Sequence, residues 1–274
     1  MIVEERRPPA SLAGIVARLW YLDAVPERRF EKILPMPFVH VIVNLSDDYR
    51  MHGPGGAVDV ADAFVSGLQS SWLVIEPPAR IRHVGAELTP VGLHALAPGS
   101  GASSAGAVLD ARAVLGHPGA VDALVDEARG AAPGAAIDAL ARLLVGLRTG
   151  EPDPLVSSVL AAMDDDPERS VADLAAAAHV AQRTLIVRFR AVTGTTPKQH
   201  AQVLRFHRVV DRVHAGGGSP AWADLAVAAG YADQPHVIRA FRRFSGWTPA
   251  EYHRLVAEHG PDAAHFVPLA TPAE

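Results

Sequence analysis

Cysteine is absent from the 274 residues, which excludes disulfides, cysteine-ligated zinc fingers and thiol catalysis. Long apolar runs are missing too. The longest, such as "FVHVIVNL", fall far short of the roughly 18–20 residues needed to cross a bilayer. The opening "MIVEERRPPASLAG" carries acidic residues and prolines where a secretory signal would have a basic start and an apolar core. Enzyme signatures are equally scarce. No Gly-x-Ser-x-Gly elbow occurs, and "GPGGAV" at 53–58 lacks the spacing and the lysine of a phosphate loop. His40, His52, His83 and His94 are scattered, with no His-x-His alternation to aim two rings from one strand at one metal. The expectation is therefore no catalytic residues, no metal, no cofactor and no membrane partner, in a protein of the cytoplasm.

What is present is a globular composition, 49% apolar and 20% charged, split unevenly in charge. The net charge of −5 hides a basic stretch from Ser170 to Val256, with eleven Lys/Arg against five Asp/Glu. Residues 1–169 hold fourteen against twenty-two. A basic module on an acidic remainder is the asymmetry of a nucleic-acid binder with a separate sensing or assembly part.

The basic stretch repeats itself. "VADLAAAAHVAQRTLIVRFRAVTGTTP" (171–197) aligns with "WADLAVAAGYADQPHVIRAFRRFSGWTP" (222–249), one residue being inserted at the turn. Leu174/Leu225, Ile186/Ile238, Phe189/Phe241, Arg190/Arg242, Gly194/Gly246, Thr196/Thr248 and Pro197/Pro249 match. Two copies are too few for a solenoid and read as two similar small units. Each reads as helix, tight turn, helix. In the second, "AWADLAVAAG" forms the first helix with Gly230 as its stop. Asp233 caps the next, and Pro235 is tolerated in its first turn. Val237, Phe241 and Phe244 are spaced to face inward. Gln234, Ile238 and Arg242 fall along one outward row, Pro235 and Arg239 along the next. A helix-turn-helix with an exposed polar stripe on its second helix enters the major groove of DNA. Arg239, Arg242 and Arg243, three cations within five residues, make sense beside a polyanion.

Between the units, "PKQHAQVLRFHRVVDRVHAGGG" reads as one helix stopped by glycines. Val203, Phe206, Val210 and Val213 form its inner stripe, and Arg205, Arg208 and Arg212 line another face. About 18 residues span on the order of 27 Å, close to the roughly 34 Å between successive major grooves on one side of B-DNA.

"VADLAAAAHVAQRTLIVRFRAVTGTTPKQHAQVLRFHRVV" followed by "LAVAAGYADQPHVIRAFRRFSGWTPAEY" resembles the DNA-binding domain of AraC/XylS-type transcriptional regulators. The resemblance implies two helix-turn-helix subdomains joined by a long helix and binding double-stranded promoter or operator DNA as a unit. Carried over by position, Gln234, His236 and Arg239 would read bases in the second unit, and Gln182, Arg183 and Ile186 face them in the first. Thr184 and Arg188 complete the DNA-facing set of the first helix, Pro235, Ile238, Arg242 and Arg243 that of the second. Arg205 is similar to the family's arginine at the start of the linker helix, a phosphate contact. Val187 departs from the pattern: the family often has arginine there, and the repeat sets Arg239 opposite. Arginine reads guanine in two-pronged fashion, while valine touches only a thymine methyl.

The acidic part reads as a β-rich, cupin-like domain followed by helices, making the chain α+β. "FEKILPMPFVHVIVNLSDD", "DAFVSGLQSSWLVIEPP" and "ARIRHVGAELTPVGLHALAP" are apolar, β-branched segments broken by Pro and Gly, which suggests strands. Their order is similar to the N-terminal domain of one group of AraC-type regulators, although "ELTPVGL" departs from that group's turn. "AVDALVDEARG" and "AAIDALARLLVGL" read as helices, the second with a stripe of Ile137, Leu140, Leu144 and Leu147 suited to a core or to a dimer helix. Trp20, Tyr21 and Trp72 suit a sheet core or a small-molecule pocket. The expected division is a β-rich effector or dimerisation domain over 1–150, the double helix-turn-helix domain over 153–258, and a tail over 259–274. The expected function is sequence-specific transcription regulation. RNA polymerase, a small-molecule effector and a second copy of the chain are the further candidate partners. The other class is a cupin-like enzyme or ligand carrier fused to a DNA-tethering module.

Overall fold

The computed structural model describes residues 1–53, 56–215, 229–260 and 266–272. The chain opens with strands β1 (Ile2–Arg6), β2 (Val16–Ala24), β3 (Phe30–Ile33), β4 (Val39–Asn44), β5 (Tyr49–Gly53), β6 (Gly56–Val60), β7 (Ala63–Ser66), β8 (Leu73–Glu76) and β9 (Ile81–Leu88). Helices α1 (Gly92–Leu96) and α2 (Ser100–Ser104), strand β10 (Val108–Asp110), and helices α3 (Ala111–Leu115), α4 (Pro118–Ala128) and α5 (Pro133–Leu147) follow. One sheet has the order β1-β2-β9-β4-β7-β10; the strands of the other include β3-β8-β5-β6. The pairings are antiparallel.

Period-two alternation sorts the first sheet. Val39, Val41 and Val43 of β4, with Val84, Ala86 and Leu88 of β9, pack against helices, while His40, Ile42, His83 and Glu87 point to the opposite face. The helical side is closed by Ile137, Leu140, Leu144 and Leu147 of α5. That stripe is core, so it is not open to a dimer partner. The opposite face meets the second sheet through contacts such as Tyr49 with Phe64 and Ile75, and between the sheets lies a cavity of about 450 Å³. Gly85, paired with Trp20 across the strands, keeps room for the indole: a β-carbon there would sit 2.3 Å from it. Trp20 and Tyr21 line the cavity.

Two departures concern the ends of these segments. "VGLHALAP" was expected to continue a strand, but Gly92–Leu96 is helical. Its buried Leu93 and Leu96 join the core, and this packing decides a five-residue element that propensity leaves open. The start of the chain, which carried no strand reading, pairs with β2 along its whole length.

The described residues from 154 to 259 form helices α6 (Pro154–Asp165), α7 (Val171–Ala177), α8 (Gln182–Thr193), α9 (Pro197–Ala215), α10 (Gln234–Ser245) and α11 (Pro249–His259). Most of the helix expected over "AWADLAVAAG", and the glycines expected to stop the linker helix, lie outside the described residues. The expected tail contains β11 (Phe266–Leu269), which pairs with β3 and extends the second sheet to β11-β3-β8-β5-β6. Pro268 is accommodated because β11 is an edge strand.

Two of the contacts by which the helical part docks on the β-rich part are especially close. At the first, a β-carbon on Gly194, just after α8, would lie 2.1 Å from the carbonyl oxygen of Gly101 in α2, so only glycine permits the approach. At the second, Lys32 of β3 is only 2% exposed and lies 3.6 Å from the Trp247 ring centroid and 5.2 Å from that of Trp72. Nearby, His207 of α9 donates from Nε2 to the Pro35 carbonyl at 2.7 Å, and Leu34 is buried in the cluster of α9, α10 and α11.

Candidate nucleic-acid interface

The repeat is repeated in geometry. Phe189 and Phe241 are buried at matching places, and each meets a ring one turn into the following helix: His200 at 5.9 Å and Tyr252 at 5.3 Å. Gly194 (φ 79°) and Gly246 (φ 83°) terminate α8 and α10 in the left-handed region. The hydroxyls of Thr193 and Ser245 donate to the carbonyls of Phe189 (2.9 Å) and Phe241 (2.8 Å). Reciprocal caps then open the next helices. Thr196 N donates to Gln199 Oε1 at 2.9 Å, and Gln199 N to Thr196 Oγ1 at 3.2 Å. Thr248 and Glu251 do the same at 2.6 and 3.2 Å. The backbone amide of Thr248 holds the Glu251 carboxyl below its ordinary pKa. These caps were legible as T-x-x-Q and T-x-x-E but were not read from the sequence.

The turns agree as well. His179 has φ 55° where the second copy has Gly230 at φ 80°. Ser170 caps α7, accepting from Asp173 N at 3.0 Å. Asp233 caps α10, accepting from His236 N at 2.7 Å, whereas Ala181 gives α8 no side-chain cap. Val203, Phe206, Val210 and Val213 of α9 are buried as the stripe requires, and Phe206 touches Phe241 at 4.9 Å and Phe244 at 5.2 Å.

On α8, Gln182, Arg183, Thr184 and Arg188 are exposed and Ile186 is half-buried; Val187 is 62% exposed. On α10, Gln234, Pro235, Arg239, Arg242 and Arg243 are exposed, while His236 and Ile238 are half-buried. His236 stands edge-on to Tyr231 at 5.1 Å, which fixes it in the first turn.

Four of the arginines make contacts within the protein. Arg205 is half-buried rather than projecting: it donates to the Gly230 carbonyl at 3.3 Å, and its guanidinium lies 5.6 Å from the Tyr231 ring. Its Nε is buried with no hydrogen-bond partner among the described residues. Arg188 donates to Asp153 at 2.6 Å, the buried carboxylate that also caps α6 through Val156 N. Arg208 ties α9 to the end of α6 through the carbonyls of Asp164 (2.7 Å) and Asp165 (3.1 Å). Arg243 donates to Gln202 of α9 at 3.3 Å.

Burial lowers the pKa of His200 and His207 to about 4, so both are neutral at pH 7. Among the described residues there is no group of three or more His, Cys, Asp or Glu that could hold a metal ion. Nor is any helix long and apolar enough to cross a membrane.

The geometry defines a helix-turn-helix protein behind a β-rich domain. Residues 174–255 match the helix-turn-helix domain family, and residues 4–109 match a domain of unknown function (DUF6597). The helix-turn-helix domain is of the AraC type. Over 111 residues the chain is 32% identical to an AraC-like transcription regulator of Streptomyces lividans, covering 40% of this chain and 36% of the relative. Over 119 residues it is 34% identical to another of Streptomyces antibioticus, covering 43% and 37%. The chain thus spans little more than a third of the length of these curated relatives. ToxT from Vibrio cholerae has the same overall fold, with a TM-score of 0.50 at 9% identity, over 85% of this chain and 98% of that one.

Proposed function

We propose that the protein is a sequence-specific, DNA-binding transcription regulator whose N-terminal part, residues 1–150, senses a small molecule. In this reading residues 153–258 bind double-stranded DNA, with α8 and α10 as the recognition helices. The observation that carries it is the repeated unit, which presents Gln182, Arg183 and Thr184 on one helix and Gln234, Pro235 and Arg239 on the other, all exposed. Arg239 lies within the first two turns of α10, where recognition helices meet bases. Arg242 and Arg243 lie in its last turn, where they serve phosphates or the neighbouring α9. Arg205 and Arg188, held by contacts within the protein, position the two units.

The sensing role is supported by strand β3. Glu31 and Ile33 line the cavity, while Lys32 between them reaches Trp247 after α10. A ligand in the cavity would therefore touch the strand that carries the contact to the second unit. This role needs no catalytic residue or cofactor and belongs to the cytoplasm; RNA polymerase and a second copy of the chain are its further partners. Selection of binding sites from random double-stranded DNA by the full chain tests it. A bipartite motif with half-sites one helical turn apart is expected, and recovery of no enriched sequence would overturn it.

A further inference from the structure

The cavity between the two sheets has mostly apolar walls, among them Trp20, Ile33, Ile42 and Phe64. At about 450 Å³ it is the size of a site for a drug-sized molecule. Histidines aside, its charged side chains are Glu5, Glu27, Glu31 and Glu87 against Arg18, an excess of acid that does not suit an anion. Glu31 has no hydrogen-bond or ion-pair partner among the described residues; its surroundings are apolar burial and the charge of Glu27, which together raise its pKa to about 7. The other carboxylates of the wall are engaged: Glu87 and Glu5 by Arg18, and Glu27 by His259 at 3.3 Å.

Among the described residues, the arginine of the wall is already engaged. Arg18 is held by its two carboxylates, and Lys32 lies on the opposite face of β3 against Trp72 and Trp247. Next to the acid stand aromatic rings. Tyr49 stacks on Phe64 at 6.1 Å and meets His83 edge-on at 5.6 Å. The Nε2 atoms of His40 and His83 are buried with no hydrogen-bond partner among the described residues, and burial keeps both rings neutral. Buried polar atoms of this kind are normally satisfied by water or by a ligand. A carboxylate ligand would meet Glu31 with no unengaged lysine or arginine among the described residues of the wall. An ammonium would meet an acid with no ion-pair partner among the described residues, in a cavity whose wall also carries Tyr49 and His83.

We propose that this cavity binds a largely apolar molecule carrying one protonated amine, seated on Glu31 beside Tyr49 and His83. The inference rests on the reading that the N-terminal part senses a small molecule. The test uses 4-phenylbutylamine, 4-phenylbutan-1-ol and 4-phenylbutyric acid, titrated into the full chain by calorimetry and followed by tryptophan fluorescence, to which the cavity-lining Trp20 contributes. The amine should bind at least about tenfold tighter than the alcohol or the acid, the scale of one charge-assisted hydrogen bond. Glu31→Gln should reduce the amine to the alcohol's affinity and leave the alcohol unchanged. Equal binding of all three probes, tightest binding of the acid, or an amine preference that survives Glu31→Gln would overturn the ligand class while leaving a sensing cavity. If none of the three binds, both the ligand class and the sensing reading fall. The comparison among probes on the unaltered protein stands whether or not the variant folds.

Discussion

The two helix-turn-helix units share a core plan and differ in how they are finished. The second closes its turn with glycine, caps its recognition helix with Asp233 and presents Arg239. The first closes its turn with His179 in the left-handed region, leaves α8 without a side-chain cap and presents an exposed Val187. Their attachments differ too. The first meets α2 through paired glycines, and the second is held to the cavity-lining strand β3 through Lys32. In the function proposed above, the first unit positions the protein on DNA and the second reads the bases.

The largest expected effect tests the shared part. Phe241→Ala and Phe189→Ala each remove a fully buried ring and should each cost about 3–5 kcal/mol in equilibrium unfolding. A small loss at one site would show that the two cores are not equivalent.

Acid should separate the units. His200 and Tyr252 occupy matching places, and only the histidine titrates in the acid range, with a folded pKa of about 4 against an ordinary value near 6.5. Between these values the unfolded chain binds more protons, so the stability His200 contributes is complete above about pH 6.5 and is lost as pH falls toward 4. With the other buried histidine of α9 replaced, His207→Gln, hydrogen exchange corrected for intrinsic rates should show α8 amides losing protection at pH 5 while α10 amides keep theirs. Equal loss in both helices would contradict this. Smaller still are the caps. Asp233→Ala should destabilise by about 1 kcal/mol, and Ala181→Asp should stabilise by roughly 0.5–1 kcal/mol, both read by thermal unfolding. A neutral Ala181→Asp would mean that α8 begins elsewhere.

The sequence made local and repeated features legible: the matched Phe, Gly and Thr-Pro positions, the inner stripe of α9, and the outward rows of α10. Contacts that depend on distant partners were not legible. Nothing near Arg205 announces that Tyr231 and Gly230 will draw it inward, and Arg188 meets an aspartate 35 residues away. The strands at the chain ends were missed for the same reason. β1 is largely exposed and β11 contains proline, so each is fixed by its pairing partner rather than by its own pattern. The α2 contact with Gly194 is also invisible before the chain folds.

The difference in readout between the units is tested most directly by substituting the selected site base by base and measuring the affinity of the wild-type protein and of Arg239→Ala. The account predicts that Arg239→Ala costs about 1–3 kcal/mol on the preferred site and much less on non-specific DNA, flattening the preference at one position. That position should lie in the more sharply specified half-site, and Val187→Ala should leave the other half-site nearly unchanged. Equal loss on specific and non-specific DNA would make Arg239 a phosphate contact, and a more stringent half-site under α8 would contradict the division of labour between the units.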